Sequence, residues 1–99
     1  MSLTLDYRAR MYRCIAAVED AQNRIDELFA EAQEEVLTEQ ADLARVAKSK
    51  QRPLRPMELA ARAEAKMITW PDFKNMASRR DRMTQQALMY GTAALVERG

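Results

Sequence analysis

The sequence predicts an all-α chain, a long helical hairpin of coiled-coil character in which one helix of about 44 residues packs against a shorter helix plus a C-terminal helix. Three observations predict it. Residues 5–48 contain neither glycine nor proline. Their apolar residues recur at alternating spacings of four and three, the signature of an amphipathic helix. Two proline-bearing breaks then separate this segment from two further helical stretches. The 99 residues suit a single helical domain spanning 1–99, within the ordinary range of domain sizes.

The first element is a helix over 5–48. Met11, Ile15, Val18, Gln22, Ile25, Phe29, Ala32, Val36, Glu39, Leu43 and Val46 trace one seam. Ile15, Gln22, Phe29, Val36 and Leu43 take the a positions of a heptad, and the others take d. A strand would need a period of two, which this segment never sustains. At 1.5 Å per residue the helix runs roughly 65 Å. Gln22 and Glu39 interrupt the seam, and a buried polar group without a partner costs about 1–3 kcal/mol. Ala32 and Glu39 point to shallow packing towards the far end. Leu28 and Leu37 lie beside the seam and widen it, which suits more than one helical neighbour.

The second element is a hinge over 49–56, Ser49-Lys50-Gln51-Arg52-Pro53-Leu54-Arg55-Pro56. Its prolines remove backbone donors and push the residues before them out of the α region. Pro56 is well placed to open the next helix, where its missing N–H costs nothing. A short Ala-rich helix over 57–68 follows. Thr69-Trp70-Pro71-Asp72 is the second break, with Thr69 as a candidate cap and Pro71 in the first turn of the next helix. The last helix runs over 70–97, with Phe73, Met76, Met83, Ala87, Tyr90 and Ala94 along one stripe. Gly91 inside it costs about 1 kcal/mol against alanine. It either admits close packing of another helix or simply weakens the final turns.

Charge divides along the chain. The net charge is +1, but residues 1–44 hold 4 basic and 10 acidic side chains, while 45–99 hold 12 basic and 5 acidic. Acid is concentrated between Glu19 and Asp42. A basic surface is expected from Arg45, Lys48, Lys50, Arg52, Arg55, Arg62 and Lys66, with Arg79, Arg80 and Arg82 further on. The favoured reading is that the arms neutralise each other within the hairpin, Arg79, Arg80 and Arg82 facing the acidic stretch. Contacts between acidic and basic ends of different copies come next. Binding of the basic segment to an acidic surface is third. The basic segment carries no aromatic residue that could stack a base.

Catalysis is not expected. The chain has no histidine, which removes the usual general base and metal ligand. Its one cysteine, Cys14, excludes a zinc cluster within one chain and reads as a small buried thiol. Glu31, Glu34, Glu35 and Glu39 place carboxylates on adjacent turns, a pattern ordinarily belonging to a solvated face. There is no glycine-rich phosphate loop. No catalytic residue, metal, cofactor or small-molecule substrate is expected. No stretch approaches the length of a membrane span, and the N-terminal residues do not form a secretory signal, so a soluble cytoplasmic protein is expected.

The function expected is therefore protein–protein contact: a self-associating subunit, or a small adaptor or inhibitor of a larger partner. Its candidate interaction seam is Met11, Ile15, Val18, Ile25, Phe29, Val36, Leu43 and Val46. Trp70, Phe73, Met76, Met83 and Tyr90 are candidate interface anchors, because large aromatic residues dominate many interfaces. The alternative is a small nucleic-acid-binding regulator using residues 45–66. In outline, with a proline hinge followed by Pro56-Met57-Glu58-Leu59, the chain resembles short helical-hairpin subunits of secretion needles and rods, and equally small phage or virion assembly proteins. Four generic residues carry no functional assignment.

Overall fold

The computed structural model describes residues 3–47 and 52–98, and every regular element among them is an α-helix. Helix α1 spans Leu3–Ala47, α2 spans Pro56–Met67 and α3 spans Pro71–Arg98. The helical hairpin character read from the sequence is present. The expected hinge lies partly outside the described residues, which include 52–55 of it.

Pro56 opens α2, preceded by Arg55 in extended geometry (φ −70°, ψ 153°). That is the conformation a following proline imposes. The backbone N–H of Leu59 donates to the Arg55 carbonyl at 2.9 Å, closing the first turn. At the second break the expected cap changes ends. The Thr69 hydroxyl donates back to the Lys66 carbonyl at 2.7 Å, so it finishes α2 instead of starting α3. The Trp70 carbonyl accepts the first bond of α3, from the Lys74 N–H at 3.2 Å. Pro71 supplies the first helical residue and Asp72 the acidic side chain of the first turn.

Contacts divide the chain into two compact units: residues 1–24 with 75–99, and residues 25–74. In the first, the amino-terminal part of α1 packs antiparallel to α3. Tyr7 stacks on Tyr90 (centroids 6.4 Å apart), Cys14 lies against Gln86, and Gln22 meets Arg80. In the second, the later part of α1 packs against α2. Its fully buried side chains include Leu28, Ala32 and Ala63.

The buried stripe of α1 keeps Val18, Ile25, Ala32 and Val36 of the seam read from the sequence but is shifted by one residue at three of its other positions. Cys14, Ala21 and Leu28 point inward in place of Ile15, Gln22 and Phe29, alternating with Val18, Ile25 and Ala32. Adjacent apolar pairs, Cys14-Ile15 and Leu28-Phe29, make either register compatible with the period. Two effects favour the observed one. It leaves the Gln22 amide at the margin, and it turns the small side chains of Cys14 and Ala21 inward, where they allow close helix approach. Leu28 is thus central to the core and not a flank, whereas Leu37 is exposed. The shallow packing expected at Ala32 is absent, since Ala32 is fully buried; exposure begins beyond Val36, and Leu43 and Val46 stand in solvent.

Candidate functional site

The features open to a partner begin with apolar side chains that the chain leaves in solvent. In the first unit a groove of about 390 Å³ runs between α1 and α3. Arg8 and Met11 line one side; Leu88, Gly91, Thr92 and Leu95 line the other. Leu88, Thr92 and Leu95 sit at i, i+4 and i+7, so they share a flank of α3. Leu88 and Leu95 are each 68% exposed. On α1, Ile15 lies one helical turn beyond Met11 and is 39% exposed, and Tyr12, next to Met11 in sequence, is 63% exposed. The floor of the groove depends on Gly91. A Cβ there would come within 3.1 Å of Met11 Sδ, so the glycine serves close packing.

The expected seam residues are distributed unevenly. Ile25 and Val36 are buried; Met11, Val18 and Phe29 are half-buried; Ile15, Leu43 and Val46 are exposed. All five expected anchors are half-buried. Met76, Met83 and Tyr90 belong to the first unit, Trp70 and Phe73 to the second. Tyr90 is held by the stack with Tyr7 and by the Arg10 guanidinium 5.8 Å above its ring. Trp70 lines a shallow depression with Leu28, Glu31, Glu35, Pro71 and Asp72. Leu88, Leu95, Leu5 and Tyr12 were not singled out by the sequence analysis. The i, i+7 spacing of Leu88 and Leu95, just off the α3 stripe, is the signal that could have found them.

The basic residues are mostly engaged. Arg45 pairs with Asp42, and Lys66 pairs with Glu39 and, at 3.6 Å, with Glu35. Arg52 Nη2 donates to both carboxylate oxygens of Glu58 at 2.9 and 3.1 Å, while its carbonyl accepts from Gln40 at 3.0 Å. Arg55 and Arg62 are exposed. Lys48 and Lys50 lie outside the described residues. The hydrogen bond and charge of Glu39, with the charge of Glu35, raise the Lys66 pKa above the ordinary lysine value, outweighing the opposing effect of desolvation. Of the three arginines expected to face acid, Arg80 instead donates to the Gln22 side-chain oxygen at 3.0 Å and to its neighbour Asp81 at 3.3 Å. Arg79 and Arg82 are exposed.

Glu31, Glu34, Glu35, Thr38 and Glu39 line another shallow depression. Among the described residues, no group of three or more carboxylates and thiols is arranged to hold a metal ion. Cys14 is buried, its Sγ 3.8 Å from the Gln86 side-chain oxygen. Among the described residues no helix is long and apolar enough to cross a membrane. The chain matches none of the family profiles, curated proteins or solved structures with which it was compared.

Proposed function

We propose that this chain is a non-catalytic interaction or assembly factor of the cytoplasm, working by contact with a protein partner, either another copy or a larger complex. The observation that carries the reading is the apolar groove between α1 and α3, lined by Met11 of α1 and by the exposed Leu88 and Leu95 of α3, with Tyr12 and Ile15 also exposed on α1. Scattered surface leucines need no explanation, but apolar residues grouped on facing flanks of two packed helices around a groove are the usual form of a helix-docking surface. A single buried thiol is in keeping with a reducing compartment. Light scattering of the full chain at micromolar concentration, with identification of whatever co-purifies, tests the reading. A mass above 11.4 kDa or a stoichiometric partner is expected. A monomer with no partner overturns it.

The nucleic-acid reading has less support. Of the five described residues in the basic set, Arg45, Arg52 and Lys66 already hold carboxylates. If it were correct, binding to duplex or single strands would fall steeply with salt.

A further inference from the structure

Resting on the assembly reading, we infer that the occupant of this face is a second copy of the chain, docked antiparallel about a two-fold axis that runs between the two α1 helices, perpendicular to them, at the level midway between Tyr12 and Ile15. The inference comes from the order of four residues on one flank of α1. Arg8, Tyr12, Ile15 and Glu19 follow at spacings of four, three and four. At about 100° per residue they fall within an arc of roughly 60°, so they form one continuous stripe. Tyr12, Ile15 and Glu19 are exposed, and Arg8 is half-buried at the edge of the groove.

This stripe is complementary to its own reverse. The point midway between Tyr12 and Ile15 is also midway between Arg8 and Glu19. A two-fold rotation about that point therefore sets Tyr12 against the partner's Ile15. It also sets Arg8 against the partner's Glu19, and Glu19 against the partner's Arg8. Opposite charges close both ends of an apolar centre, over a span of about 16 Å at 1.5 Å per residue. Parallel docking would instead set Arg8 against Arg8 and Glu19 against Glu19. Self-complementarity of this kind is what an isologous contact requires, and an unrelated partner would not impose it. On the α3 side, Leu88 and Leu95 continue the apolar area across the groove. Two copies meeting there bury a four-helix surface, the arrangement in which amphipathic hairpins commonly cover their second apolar flank.

The test is a charge-exchange experiment on the full chain, read by sedimentation velocity, with circular dichroism as the control for folding. The wild type is expected at twice the chain mass of 11.4 kDa. Arg8→Glu alone and Glu19→Arg alone each place like charges at both ends of the contact. Each is expected to weaken self-association about tenfold. An equimolar mixture of the two single variants regains opposite charges at both ends only as a mixed dimer, and is expected to recover wild-type mass. The Arg8→Glu, Glu19→Arg double variant should recover it as well. Tyr12→Glu, at an exposed position, should give a helical monomer. A mixture that stays monomeric while the wild type is dimeric overturns the antiparallel pairing. A dimer indifferent to all these changes overturns the choice of face but leaves the assembly reading standing. A monomeric wild type overturns self-docking; if it also lacks a co-purifying partner, the assembly reading falls with it.

Discussion

The two polar residues that interrupt the seam of α1 are each answered by a basic side chain from later in the chain. Gln22 accepts a hydrogen bond from Arg80, and Glu39 pairs with Lys66. Both sit at the margin of the packed stripe, so neither bears the full desolvation cost of a buried polar group. The Lys66 pair has a defined pH signature. A lysine whose pKa is raised on folding contributes stability that is fully present below its unfolded value, and that contribution is lost as pH climbs through the folded value. Lys66→Gln should therefore be less stable than wild type at neutral pH, with the difference beginning to shrink only as pH climbs past 10.5. Paired thermal melts from pH 7 to 11 measure it; a difference that persists undiminished at the alkaline end would count against the pairing. Leu28 is the largest fully buried side chain among the described residues, 2% exposed. Leu28→Ala should cost about 2–5 kcal/mol, visible in denaturant unfolding. In a small domain that is a large share of the total stability.

Among the elements, α3 shows most clearly how packing settles what periodicity leaves open. Gly91 in mid-helix has two readings in the sequence, a close contact or a weak point. The structure decides for contact, with Met11 Sδ lying 3.1 Å from where a Cβ would stand. The neighbour is the far end of a flexible, half-buried side chain that borders an open groove. Gly91→Ala should displace it by a few tenths of an ångström and recover helix propensity of up to about 1 kcal/mol. A rise in melting temperature is the expected outcome; a fall would show that Met11 has nowhere to move. In α1 the structure keeps Val18, Ile25, Ala32 and Val36 of the seam and turns Cys14, Ala21 and Leu28 inward in place of Ile15, Gln22 and Phe29. Adjacent apolar pairs made two phases equally periodic, and side-chain size together with the Gln22 amide chose between them.

For the molecule as a whole, the division of charge between the first and second parts of the sequence finds part of its expected use. Within the second unit, Lys66 of α2 holds Glu35 and Glu39 of α1. Of the α3 arginines, Arg80 reaches the acidic stretch at the neutral amide of Gln22 and pairs with its own neighbour Asp81, while Arg79 and Arg82 are exposed. Exposed pairs contribute only about 0–1 kcal/mol each, so they set the pairing of helices more than its strength. Self-docking has its own consequence at this scale. When folding is coupled to association, the melting temperature rises with protein concentration. Melts from low micromolar to high micromolar chain should shift upward for the wild type and remain fixed for Tyr12→Glu.

The sequence by itself determined the helices, the two breaks and the division of charge, because these follow from local period, from the missing donor of proline and from counting. Glycine-poor, alanine-rich segments leave the backbone little alternative. Only the tertiary structure decided which residues complete the inward stripe of α1, what Gly91 is for, and that Leu88 and Leu95 stand exposed at the groove opposite Arg8 and Met11. Those outcomes depend on the shape and polarity of side chains far apart in sequence. A helical period fixes the angle between residues along one helix, but the direction of the stripe is fixed only by what packs against it.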